Sequence, residues 1–156
     1  MPSLKRTSRF AMLTVMTLAM LVGFTALGPV ADASAATKNQ RILRAATIAL
    51  QQIGDRYRYG AAGPRAFDCS GLMQYAYSAA GIALPHSSSM QSTMGTPVSR
   101  DQLQPGDLVF FYSPVSHVGM YIGNGQMVHA STSGTPVQVA SLDSMGSYNS
   151  ARRIAG

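Results

Sequence analysis

The chain has 156 residues, a formal net charge of +6, 46% hydrophobic residues, one cysteine and no tryptophan. Its basic residues are scattered and form no run, which excludes a nucleic-acid-binding footprint, and a single cysteine excludes an internal disulfide framework. Such a length suits one ordinary domain with one core.

Residues 1–35 have the layout of a secretory signal peptide. Lys5, Arg6 and Arg9 form a basic start, residues 11–27 are apolar and uncharged, Gly28 and Pro29 break the run, and Ala33-Ser34-Ala35 fits a small-x-small cleavage site. Export to the cell wall is therefore expected, with a mature domain over 36–156. The alternative is an uncleaved membrane anchor, since the apolar run is slightly long for a signal peptide. The mature part keeps nine of the twelve Lys and Arg and five of the six Asp, a net +4 that suits an anionic wall surface. Four of ten methionines lie in the leader, and the rest read as core filler.

Residues 37–53 read as a helix capped by Thr37. Ile42, Leu43, Ala46, Ala49, Leu50 and Ile53 form its apolar face, and Gly54 ends it. Residues 55–60 alternate and read as a short extended piece leading into a Gly-rich loop. Next comes Phe67-Asp68-Cys69-Ser70-Gly71-Leu72, where irregular chain turns into a helical stripe of Leu72, Tyr75, Ala76 and Ala79, stopped by Gly81. Asp68 is then the N-cap and Cys69 the first helical residue. A thiol there meets free N–H groups and the positive helix end, which favour thiolate. Residues 81–85 connect to a short helix starting near Ser87. His86 lies in this connector and is expected outside any site.

Beyond the Pro105-Gly106-Asp107 turn the period becomes strand-like. Strands are predicted at 108–112, 117–122, 126–130 and 136–140, with a fifth at 151–154. Helices followed by an antiparallel meander make the fold class α+β. The hairpin at 123–125 decides where His117 and His129 point. A two-residue Asn124-Gly125 turn gives pairing partners summing to 249 and places the two rings on opposite faces. A three-residue Gly123-Asn124-Gly125 loop gives 248 and one shared face. Both remain open on parity alone, and the lone cysteine favours the shared face.

Cys69, His117 and His129 are the parts of a thiol acyl-transfer site: nucleophile, base and orienting group, with helix-start amides as an oxyanion hole. The same three residues number enough for an open zinc site. However, no two stand at short ligand spacing, and the chain has no glutamate. No metal and no cofactor is expected.

Asp68-Cys69-Ser70-Gly71-Leu72, the 103–111 segment beginning Leu103-Gln104-Pro105-Gly106-Asp107, the 117–125 segment beginning His117-Val118-Gly119, and Met127-Val128-His129-Ala130 resemble the successive motifs of the NlpC/P60 cysteine peptidases. The resemblance spans roughly residues 40–155. It implies a papain-like core, N-terminal helices packed on a central antiparallel sheet, and hydrolysis of peptidoglycan stem peptides at the bond from D-γ-glutamate to the diamino acid. It implies Cys69 as nucleophile, His117 as base, His129 as third member, Tyr57 near the thiol, Ser70 in the oxyanion region and Asp68 holding the loop. Tyr59 stands where the family often has tryptophan. With no wall-binding module in front of the domain, a free monomeric hydrolase with a relatively open cleft is expected. A non-catalytic wall-binding protein and a thiol amidase or acyltransferase are the alternative functions.

Overall fold

The computed structural model describes residues 30–154. Most of the predicted leader therefore lies outside the described residues. Its last residues begin α1, Val30–Gln51. Thr37 sits inside this helix, its Oγ1 donating to the Ala33 carbonyl at 2.9 Å, and so does not cap it. The predicted apolar face also turns: Ile42, Ala45, Ala46 and Ala49 are buried, whereas Leu43, Leu50 and Ile53 are exposed. Small alanines form the contact face because α1 packs closely on α2, Cys69–Ala79. No helix among the described residues is long and apolar enough to cross a membrane.

Two short parallel strands, β1 (Arg56–Tyr57) and β2 (Ala66–Phe67), bracket the Gly-rich loop ahead of α2. A four-residue helix α3, Ser88–Gln91, follows α2 and is capped by Ser87, as expected. The remaining strands are β3 (Thr96–Pro97), β4 (Leu108–Phe111), β5 (His117–Gly123), β6 (Gln126–His129), β7 (Gln138–Ser141) and β8 (Tyr148–Arg153). They form one antiparallel sheet in the order β3-β8-β4-β5-β6-β7. The class is α+β, as the sequence predicts. Only β4 to β7 form the meander, because β8 returns to the free side of β4.

The sheet is apolar on both faces, which is why β4 reads as a continuous apolar run. Leu108, Phe110, Val118, Met120 and Val128 meet Leu72, Met73, Ala76 and Tyr77 of α2 on one face. Val109, Phe111, Met127, Leu142 and Ala151 make a smaller core on the other. Each fully buried large side chain contributes about 1.5–3 kcal/mol. The buried Asp107 carboxylate ties the turn before β4 to the end of the neighbouring strand β8. It accepts from the Gln104 amide and from Nε and Nη2 of Arg153, each at 2.8 Å.

The β5–β6 hairpin combines the two turn geometries weighed above. Asn124 and Gly125 both have positive φ, 53° and 70°, and Gly123 pairs with Gln126: a two-residue turn of the kind Asn-Gly favours. The register then shifts between Tyr121 and Gly123, so that Tyr121 pairs with Met127 and Met120 with Val128. The extra residue restores the sum of 248 and sets His117 and His129 on one face.

Gly119 and Gly71 both sit at close approaches. A Cβ on Gly119 would stand 2.6 Å from Met127 Sδ, and one on Gly71 would stand 2.1 Å from the Ala61 carbonyl oxygen and 2.9 Å from Asp68 Oδ1. The Gly71 contact is with backbone and cannot be relieved by a rotamer change. Gly71→Ala should therefore destabilise the fold by about 2–3 kcal/mol in urea unfolding; an unchanged midpoint would show that the loop yields freely.

Candidate active site

Asp68 adopts extended backbone (φ −95°, ψ 179°) and caps α2, its Oδ1 accepting from the Gly71 amide at 2.7 Å. Its Oδ2 accepts from the Gly60 amide at 2.8 Å, and Ser70 Oγ lies 3.4 Å from Oδ1. His86 Nε2 reaches Asp68 Oδ1 at 2.7 Å. One carboxylate thus fastens the helix start, the Gly-rich loop and the connector after α2. His86 belongs to the site, contrary to the expectation drawn from its connector position. The contact spans eighteen residues, and no periodicity announces it.

Cys69 is the first residue of α2 and is half-buried. Burial pushes its thiol above the ordinary 9.0. The Val118 amide opposes this, Asp68 adds to it, and the Ser70 and Cys69 amides also oppose it. Burial wins, so the resting group is a thiol rather than the thiolate expected from the helix terminus alone. The Val118 contact brings the start of β5 against the sulfur, one residue after His117.

His117 and His129 are both buried, with ring centroids 5.2 Å apart, planes at 78°, and His117 Nε2 3.0 Å from His129 Nδ1. Burial, and then the neighbouring His129, lower the His117 pKa from 6.5 to about 4. Burial also lowers that of His129. Both rings are neutral at neutral pH, and a single N–H is shared across their contact. The two nitrogens are therefore occupied with each other. Among the described residues no three His, Cys, Asp or Glu side chains are grouped to hold a metal ion.

A cavity of about 370 Å³ lies over the thiol, lined by Tyr57, Tyr59, Asp68, Cys69, Ser70, His86 and serines 87, 88 and 116. Four of the six predicted site residues share it, and the histidine pair is not among its lining residues. Tyr57 arrives through β1: its pairing with Phe67 places it two positions from Cys69. Burial, then Cys69, Asp68 and Tyr59, raise the Tyr57 pKa, which keeps its phenol a neutral donor. Tyr59 is 88% exposed at the rim. Ser116, Ser87 and Ser88 went unnoticed in the sequence because polar loop residues carry no periodic signal. The arrangement presents a thiol, convergent amides, a neutral phenol and a neutral imidazole pair, the groups that acyl transfer needs.

Residues 54–154 match the NlpC/P60 family. The chain belongs to that family. A protein of Mycobacterium tuberculosis named as a probable endopeptidase is 54% identical over 105 residues, covering 67% of this chain and 27% of its own length. This NlpC/P60 chain thus spans about a quarter of that relative. The P60 domain of the antigen MAP1204 from M. avium subspecies paratuberculosis superposes with a TM-score of 0.69 at 33% identity, covering 76% of this chain and 98% of that one. The Resuscitation Promoting Factor Interacting protein RipA superposes at 0.70 with 32% identity, covering 77% and 64%. It has been solved in variants mutated at a cysteine, a histidine and a glutamate.

The resting thiol makes a direct prediction. Its pKa is raised above 9.0, so alkylation of Cys69 by iodoacetamide should be slow at neutral pH and climb only on the alkaline side of pH 9. Mass spectrometry across pH 5–11 checks this, and a plateau already reached at pH 7 would mean a preformed thiolate.

Proposed function

We propose that this NlpC/P60 chain is an exported cysteine endopeptidase that hydrolyses peptidoglycan stem peptides between D-γ-glutamate and the diamino acid. The observation that carries the reading is the half-buried Cys69 thiol, ringed by the Val118, Ser70 and Cys69 amides, with the residue before Val118, His117, in a buried pair of neutral imidazoles. Supporting it, the histidine and glutamate mutated in RipA stand twelve positions apart, as His117 and His129 do. There the residue twelve positions on is an acid; here it is a second imidazole.

In this mechanism Cys69 and His117 both rest neutral. The substrate carbonyl enters the cleft over Sγ. As sulfur attacks, the thiol proton passes to His117, and amides at the start of α2 stabilise the oxyanion. His117 then gives that proton to the leaving amine, and the acyl group remains as a thioester on Cys69. Water, deprotonated by His117, attacks the thioester and releases the acid. His129 orients His117 and stabilises its transient charge. Tyr57 and Ser70 line the approach, and Asp68 holds the loop.

Incubating defined muropeptides with the purified protein should give fragments cut between D-glutamate and the diamino acid by mass spectrometry. Cys69→Ala and His117→Ala should lose turnover by at least about 10³-fold while staying folded, and His129→Ala should lose less, about 10–100-fold. Intact muropeptides with a folded wild-type protein would sink the proposal.

The pH profile follows from the same groups. His117 must be neutral, and its pKa is lowered from 6.5 to about 4, so activity is retained as pH falls below 6.5 and lost only near pH 4. An acid limb of kcat/KM centred at 6.5 would contradict this.

A further inference from the structure

The His117–His129 contact allows two proton arrangements. If His129 Nδ1–H donates to His117 Nε2, the remaining proton of neutral His117 sits on Nδ1, and the ring cannot accept another there. If His117 Nε2–H donates to His129 Nδ1, then His117 Nδ1 is bare, and His129 carries its own proton on Nε2. Only the second arrangement leaves a base. It creates a buried Nε2–H donor on His129, a residue that is 1% exposed. That nitrogen has no hydrogen-bond partner among the described residues. Leaving that N–H buried without an acceptor disfavours this arrangement against the other tautomer.

The register identifies the group able to supply an acceptor. On one side of β6, β5 carries His117. On the other, β7 pairs Gln138 directly opposite His129, so the two side chains share a face with Cβ atoms about 4.5–5.5 Å apart. The two nitrogens of an imidazole point to opposite sides of the ring. With Nδ1 turned toward β5, Nε2 turns away from it, to the side where β7 lies. Phe111, Gly119, Met127 and Ala140 share that face and bring no side-chain acceptor, and Tyr121, opposite Met127, turns its hydroxyl to the Gly125 amide at the hairpin tip. Ser131 lies past the end of β6. Two other buried acceptors lack a partner among the described residues: Tyr148 Oη, on β8, two strands beyond β5 on the side away from β7, and Gln91 Oε1, of an amide held by the Ser70 and Pro85 carbonyls beside the start of α2. Gln138 is half-buried, and among the described residues its side chain has no hydrogen-bond partner.

We propose that Gln138 is a positioning residue for the imidazole pair: its amide oxygen accepts the Nε2–H of His129 and so holds His117 with Nδ1 free. The inference rests on the proposed thiol mechanism for its catalytic consequence, though not for the hydrogen bond itself. A glutamine can swing its amide over His129 by a change of rotamer, because its side chain stands at the margin of the sheet rather than in the closed core.

The chain contains only three histidines, so long-range ¹H–¹⁵N spectra of the imidazoles can be assigned with His86→Gln and His129→Gln controls. Wild type should show His129 as the Nε2–H tautomer and His117 likewise. Gln138→Leu and Gln138→Met, which keep the side chain's bulk and remove the acceptor, should shift His129 toward Nδ1–H. They should lower kcat about tenfold at unchanged KM. Gln138→Glu should restore the tautomer. A wild-type His129 protonated on Nδ1, or tautomers and kcat unmoved in both apolar variants, would overturn the proposal. The spectra need no turnover, so failure of the wild type to cleave muropeptides would count against the peptidase reading alone.

Discussion

The Asp68 carboxylate is the contact on which the site depends. It accepts from amides eight residues before it and three residues after it, and it meets His86 from the connector beyond α2. Those groups come from three segments that share no secondary structure. Their convergence on one side chain brings Tyr57, Cys69 and His86 around one cleft. The arrangement has an electrostatic cost, because the same negative charge opposes ionisation of the thiol next to it. A cap that orders Cys69 also restrains its ionisation.

That restraint is matched across the site. Burial holds the thiol protonated and both imidazoles unprotonated, so the resting pair is uncharged rather than an ion pair. In the proposed mechanism charge appears only as the proton moves, in a setting where backbone amides are already aimed at the sulfur. Burying neutral partners avoids the desolvation penalty of a resting ion pair. It leaves electrostatic stabilisation to be realised during reaction, where it accelerates chemistry instead of stabilising the free protein.

Much of this was legible in the residues. The Asp68 cap, the placement of Cys69 at the head of α2, the Ser87 cap and the β4–β7 strands follow from local chemistry and period. What escaped depends on contacts between distant segments. The buried face of α1 is set by alanines that fit against α2, and hydrophobicity alone favoured the larger Leu43 and Leu50. β8, expected over 151–154, starts earlier, at Tyr148, and that start goes unannounced because Tyr148, Asn149 and Ser150 show no apolar alternation. His86 becomes part of the site through a side-chain contact over eighteen residues. The shared face of the histidines was reached by a turn and a bulge together, where the residues alone suggested one loop or another.

That bulge separates two properties that a hairpin usually couples. The Asn124-Gly125 turn determines how readily β5 and β6 come together, and the extra residue between Tyr121 and Gly123 determines the phase in which they do so. Grafting a regular two-residue hairpin in their place would leave a chain able to close the same sheet, with one of the two imidazoles rotated out of the relay. Loop length at this tip is therefore a matter of parity: an even change keeps both imidazoles on one face, and an odd change that no bulge absorbs leaves the sheet closed with the two rings on opposite faces.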